Sequence, residues 1–168
     1  RVLVVNKPAG IASEPERWAR EKASIAGGLV QLARERTEDD TQNAPLEFRP
    51  RLLHRLDKDT SGALAVAKDL ETERCLRHAF EVGEVHKTYL AIVAGEFPET
   101  DAQGELIDLP LESDARRTGR MRVARKGGKP SQTRVAVEKR FRGFSVVRCH
   151  PLTGRTHQIR VHLAHQGF

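Results

Sequence analysis

A chain of 168 residues, 38% hydrophobic and 31% charged, holds enough apolar material for one soluble domain with a real core. No apolar run is long enough to cross a membrane and no secretory signal is visible, with a leader ahead of Arg1 left open. The net charge is +6, and only Cys75 and Cys149 are present, too few for a disulfide framework, so the expected setting is reducing and cytoplasmic. Because the chain begins at Arg1 rather than Met, it is expected to be a fragment.

Residues 1–5 read as an apolar strand stopped by the turn Lys7-Pro8-Ala9-Gly10. Pro15 is expected to open a helix to about Arg36, weakened at its middle by Gly27-Gly28. Residues 38–50 are polar, contain Pro45 and Pro50, and read as a loop. Leu52-Leu53 and Gly62-Ala63-Leu64-Ala65-Val66-Ala67 then read as short buried strands. Asp69 can cap a helix running to about Val82, with Leu76, Ala79 and Phe80 on its buried face and Gly83 ending it. Residues 88–94 form a dense apolar strand carrying Tyr89, the only tyrosine, near its start.

Residues 96–114 are expected as a loop or an edge excursion. Residues 121–124 and 133–141 read as strands joined across Lys126-Gly127-Gly128-Lys129-Pro130, and a turn at Arg142-Gly143 returns the chain through residues 144–150. Thr153 or Thr156 can cap a last helix ending near Gly167. Strands occur both in hairpins and with intervening helices. The expected class is therefore α+β, one domain over residues 1–168, with a mixed, largely antiparallel sheet flanked by helices.

Charge is segregated along the chain. Residues 96–114 hold seven acids and no Lys or Arg, whereas residues 116–142 hold eleven bases against Glu138 alone. After Glu138 no acid follows, but Arg148, Arg155, Arg160 and four histidines do. Such asymmetry suits a polyanionic partner, and the bases fall around turns able to clasp a nucleic acid strand. The plainer reading is a solvated basic face.

Two stretches carry candidate chemistry. His54-Arg55-Leu56-Asp57-Lys58-Asp59-Thr60-Ser61-Gly62 places charged residues between two buried strands, which anchors the loop holding Asp57 on rigid elements. Asp, Thr, Ser and Gly also build ordinary turns, so two readings stay open for Asp57. In Thr153-Gly154-Arg155-Thr156-His157-Gln158-Ile159-Arg160-Val161-His162-Leu163, helical spacing puts Thr156, Ile159, Arg160 and Leu163 on one face. Either Arg160 points inward with the apolar pair and needs a carboxylate, for which Asp57 is the best candidate, or it snorkels to solvent. An Arg partner stabilises an ionised carboxylate, which suits a nucleophile better than a general acid.

These residues resemble a known family. The nine residues 54–62 are similar to the signature of the RluA-type RNA pseudouridine synthases. In the right order, Asn6-Lys7-Pro8-Ala9-Gly10 resembles that family's opening motif and Lys87-Thr88-Tyr89 its Lys-x-Tyr strand. Gly128-Lys129-Pro130-Ser131-Gln132-Thr133 resembles its Gly-Lys-Pro-Ala-x-Thr motif, with Ser131 in place of Ala. Residues 153–163 resemble its closing motif. Glu14 stands where the family often has His. The family's domain usually continues beyond the position of Phe168, and a small N-terminal RNA-binding domain is not seen here.

The resemblance implies isomerisation of uridine to pseudouridine in ribosomal or transfer RNA, without cofactor or metal, by a cytoplasmic monomer. It implies catalytic roles for Asp57 as nucleophile, Tyr89 as the aromatic that packs on the target base, and Arg160 as the basic residue beside the carboxylate. It places His54, Arg55, Leu56, Thr60, Gly62, Lys87, Arg155 and His157 at the substrate, with Leu163 as an apolar pocket wall. A uridine inside a helix is out of reach, so the nucleotide must flip into the pocket, with Arg55 filling the vacated stack or holding a phosphate. One alternative is a non-catalytic RNA-binding module with the same fold. Another is a metal centre built from His150, His157, His162, His165 and Cys149, whose spacing fits no zinc pattern closely.

Overall fold

A computed structural model describes residues 1–15, 23–39 and 49–168. The described chain forms two compact units, Arg1–Val82 and Gly83–Phe168.

In the first unit, β1 (Val2–Lys7) and β2 (Arg51–Leu52) flank β3 (Gly62–Ala67) in an antiparallel sheet of order β1-β3-β2. Alternation sets the faces: Leu3 and Val5 turn inward while Val2 and Val4 stay exposed. The β2–β3 register, Arg51 opposite Ala67 and Leu52 opposite Val66, makes residues 53–61 the closed end of a hairpin, as the flanking apolar runs predict. Leu53, Leu56, Leu64, Val66 and Ala67 are buried.

The helix α1 (Ile25–Asp39) begins well after Pro15; of the expected earlier turns, residues 16–22 lie outside the described residues, as do residues 40–48 of the expected loop. The helix α2 (Leu70–Glu81) starts where the sequence places it, with the Asp69 carboxylate accepting from the Thr72 amide at 2.8 Å. Its inward residues Leu76, Ala79 and Phe80 are only half-buried.

The second unit holds β4 (Tyr89–Ala94), β5 (Glu105–Asp108), β8 (Gln132–Phe141) and β9 (Phe144–Pro151) in a sheet of order β4-β9-β8-β5. A separate hairpin pairs β6 (Leu111–Ser113) with β7 (Met121–Val123), and the helix α3 (Gln158–His165) ends the chain. The acidic stretch therefore supplies an edge strand, β5, which alternation around the buried Ile107 explains. The strands β7 and β8 are joined as expected but do not pair with each other.

Every pairing between named strands is antiparallel; parallel pairing among the described residues is limited to a bridge between Ala12 and Ser24. Val93, Phe97, Ile107, Val135, Val147, Cys149 and Leu163 form the core. Burial pushes the Cys149 thiol up to about 12, so it is an inert packing residue.

Gly128 shows why the turn before β8 needs glycine. Its φ is +84°, and a Cβ there would lie 2.5 Å from the Ala124 Cβ.

Candidate active site

The Asp57 loop is held from several sides. The Lys7 ammonium is fully buried and donates to three carbonyls, those of Pro8 at 2.9 Å, Ile11 at 2.7 Å and Lys58 at 2.9 Å. The Gly10 amide donates to the same Lys58 carbonyl at 2.9 Å. Ser13 takes both backbone groups of Leu56, donating to its carbonyl at 2.8 Å and accepting from its amide at 3.0 Å. The Thr60 amide closes the turn on the Asp57 carbonyl at 3.1 Å. Burial lowers the Lys7 pKa, against the attraction of Asp59 and Asp57.

Asp57 itself is half-buried, whereas Asp59 is exposed. Its neighbours divide in role. The His54 Nε2 accepts from the Ala65 amide at 3.0 Å, and its ring lies 5.1 Å from that of Phe80, so His54 is tied into the hairpin. Leu56 is a core residue, and Gly62, at φ +129°, opens β3. Arg55 is exposed and reaches Glu14 at 3.3 Å, the position at which this chain departs from the motif pattern.

In the second unit, Tyr89 starts β4 opposite Cys149 and is half-buried against the core. Lys87, just before it, lies beside the turn at Gly154, its Nζ 4.0 Å from where a Gly154 Cβ would stand. Burial lowers the Lys87 pKa. The Thr88 hydroxyl meets His150 Nδ1 at 3.2 Å, pinning this end of the strand to β9.

The closing motif differs from expectation in its helix face. The buried residues of α3 are Gln158, His162 and Leu163, while Arg160 is exposed. The burial penalty that would demand a carboxylate for Arg160 is therefore absent. Neither Thr153 nor Thr156 caps the helix: His157 occupies the cap position, at φ 54° and ψ 21°, without a side-chain cap bond. It is the only non-glycine with positive φ among the described residues, a conformation histidine tolerates better than most. Leu163, expected as a pocket wall, is 4% exposed and belongs to the core. Arg155 is exposed, its Nε donating to the Pro130 carbonyl at 3.1 Å.

The charge segregation of the sequence is partly undone in space. Glu112 pairs with Arg122 at 2.7 Å, Glu99 with Arg140 at 2.7 Å, and Glu138 with Arg148. Arg116, Arg117, Arg120, Arg125, Lys126 and Lys129 remain exposed around the β6–β7 hairpin and the turn that follows it. Among the described residues no three His, Cys, Asp or Glu side chains are grouped to hold a metal ion, and both nitrogens of His162 are engaged by protein.

Residues 1–165 match the family model described as RNA pseudouridylate synthase. The chain belongs to that family. It is 35% identical over 164 residues to ribosomal large subunit pseudouridine synthase D of Xanthomonas campestris pv. campestris, covering 98% of this chain and 45% of the relative. It is likewise 35% identical over 173 residues to ribosomal large subunit pseudouridine synthase C of Escherichia coli (strain K12), covering 99% and 47%.

Among solved structures, human RNA pseudouridylate synthase domain containing 1 superposes with a TM-score of 0.70 at 28% identity, over 99% of this chain and 62% of that one. The chain thus spans about half the length of the curated relatives it matches. The family match runs through both units and takes in every motif singled out in the sequence. Sequence reasoning missed Ser13; it noticed Thr133 and Gln158 only as motif members and His162 only as a candidate metal ligand. It noticed Lys7 only as part of a motif.

Proposed function

We propose that the protein carrying this chain isomerises specific uridines to pseudouridine in structured RNA. The observation that carries the reading is the Asp57 loop. In a chain of the RNA pseudouridylate synthase family, a half-buried carboxylate sits at the closed end of a hairpin that Lys7, Gly10 and Ser13 lock. Rigid placement of a reacting group is what catalysis by positioning requires. Ribosomal RNA, which the names of the bacterial relatives point to, is the first substrate to test, and transfer RNA the second.

In this reading Asp57 is the nucleophile, attacking the ribose anomeric carbon or the uracil ring. The bond from the anomeric carbon to N1 breaks, the base turns in the pocket, and a bond forms to carbon 5. The carbon-5 proton leaves and N1 gains one, so the reaction is an isomerisation. Tyr89 packs on the base and assists removal of the carbon-5 proton, while Arg160 stabilises developing negative charge. The uridine reaches the pocket by flipping, with Arg55 at the vacated position. The exposed bases from Arg116 to Lys129 grip the backbone of folded RNA by shape rather than sequence. Residues 1–168 act as one catalytic domain, working as a monomer in the cytoplasm without cofactor or metal.

The test is tritium release from RNA carrying 5-tritiated uridine. Wild-type protein is expected to release tritium and Asp57→Ala to release none; release that persists in the variant would sink the mechanism. Tight, salt-sensitive binding without release from either RNA would instead indicate a binding module. Affinity should fall linearly with salt on logarithmic axes, and a flat dependence would remove the proposed basic grip.

A further inference from the structure

The Gln158 side chain fills all four of its hydrogen-bonding positions inside the protein. It is 4% exposed. Its Oε1 accepts from the Thr153 hydroxyl at 2.7 Å and the Arg155 amide at 3.0 Å. Its Nε2 donates to the Gln132 carbonyl at 2.9 Å and to Thr133 Oγ1 at 2.9 Å. The backbone partners fix the amide orientation: the Arg155 amide can only donate and the Gln132 carbonyl can only accept, so a flipped amide would face like against like.

The direction continues beyond Gln158. Thr133, accepting from Nε2, has its hydroxyl hydrogen free for His162 Nδ1, 2.9 Å away. His162 therefore carries its proton on Nε2, which donates to the Leu109 carbonyl at 3.0 Å. Thr133 and His162 are fully buried, and no buried side-chain N or O among the described residues lacks a partner. One connected chain of bonds thus joins the start of β8, the turn before α3 and α3 itself.

We propose that Gln158 is the positioning residue of this site, fixing the turn at residues 153–157 against β8 so that Arg155, His157 and Arg160 face the RNA in one arrangement. It acts through those residues and does not touch substrate. The turn contains a left-handed histidine, His157, and Gln158 ties it to β8 from the adjoining helix position. The Thr153 hydroxyl, which accepts from the Gln132 amide at 3.0 Å, and Arg155 Nε on the Pro130 carbonyl add two further ties to the same segment. The inference rests on the synthase reading for its effect on rate, but not for its effect on the turn.

The experiment pairs Gln158→Leu with Thr133→Ser and Thr133→Val, using ribosomal RNA carrying 5-tritiated uridine as the probe. Amide hydrogen exchange is measured in parallel. In Gln158→Leu, exchange at Arg155 should accelerate while the amides at the C-terminal end of α3 stay protected. The single-turnover rate should fall by about 10- to 100-fold, with the RNA dissociation constant changed by less than about twofold. Thr133→Ser, which keeps the hydroxyl, should match wild type, and Thr133→Val should follow Gln158→Leu.

A folded Gln158→Leu with wild-type rate and unchanged exchange at Arg155 overturns the proposal, as does a proportional loss of binding and rate. If Gln158→Leu fails to fold, equal rates in the two Thr133 variants overturn it. If wild-type protein releases no tritium, the synthase reading fails, and exchange at Arg155 alone decides whether Gln158 holds the turn.

Discussion

One hydroxyl, that of Ser13, holds both backbone polar groups of Leu56, the residue immediately before Asp57. A buried serine 43 positions away in sequence thereby replaces the ladder bonds that a strand would have supplied at that point. Ser13→Ala leaves the Leu56 amide and carbonyl without these bonds and should destabilise the protein by about 1–3 kcal/mol. Urea denaturation measures the loss. The isomerisation rate should fall more than RNA affinity does, and an unchanged rate would show that the loop keeps its shape without Ser13.

Lys7→Met keeps the apolar stem and removes the donor to three carbonyls. The Lys58 carbonyl keeps the Gly10 amide, whereas the Pro8 and Ile11 carbonyls lose this donor, at about 1–3 kcal/mol for each group left unsatisfied, so this variant should be clearly destabilised. Thermal unfolding of Lys7→Met beside Lys58→Met, whose native side chain is exposed, is the comparison that checks it. Similar melting temperatures for the two would refute the strut role.

Glu14 and Arg55 are both exposed and 3.3 Å apart, so their ion pair is worth at most about 1 kcal/mol. Glu14→Gln releases Arg55 and removes a negative charge from its surroundings. The RNA dissociation constant should drop by up to about fivefold at low salt, with the two proteins converging at high salt. Weaker binding in the variant would mean that Glu14 helps RNA recognition instead of restraining Arg55.

Burial lowers the His162 pKa; the bond to the Leu109 carbonyl opposes the shift, His165 adds to it, and Asp108 opposes it. In the window between this lowered value and the usual 6.5, the unfolded chain binds more protons than the folded one. Stability is therefore complete above the usual value and is lost as pH falls through the window. Protonation also places an N–H against the Thr133 hydroxyl, whose hydrogen Nδ1 now accepts. Urea midpoints across this range should fall with acidification in wild type, and the slope should shrink in His162→Gln. An identical slope would assign the effect to another group.

Local chemistry was legible in the sequence where a side chain answers the backbone a few residues away. Asp69 capping α2 and the hairpin around Asp57 are of that kind. Lys7 was not legible as a strut, because a lysine before proline in a turn reads as solvated and its partners were invisible carbonyls. In α3, the Gln158–His162 and Ile159–Leu163 pairs lie on adjacent stripes. Apolar content alone selected the second stripe, which left an inward Arg160 open beside the solvent-exposed one. The true face is set by Thr133, a partner 25 residues from Gln158 and 29 from His162. Polar burial of that kind carries no periodic signal.

The Lys7 ammonium has a further consequence because it lies out of reach of dissolved ions. Its charge acts on the carboxylates of Asp57 and Asp59 from within the protein, where mobile counterions cannot gather around it. The arginines of the β6–β7 hairpin, by contrast, are bathed in electrolyte. Raising ionic strength should therefore weaken the outer part, which governs encounter with RNA, more than the inner part around Lys7.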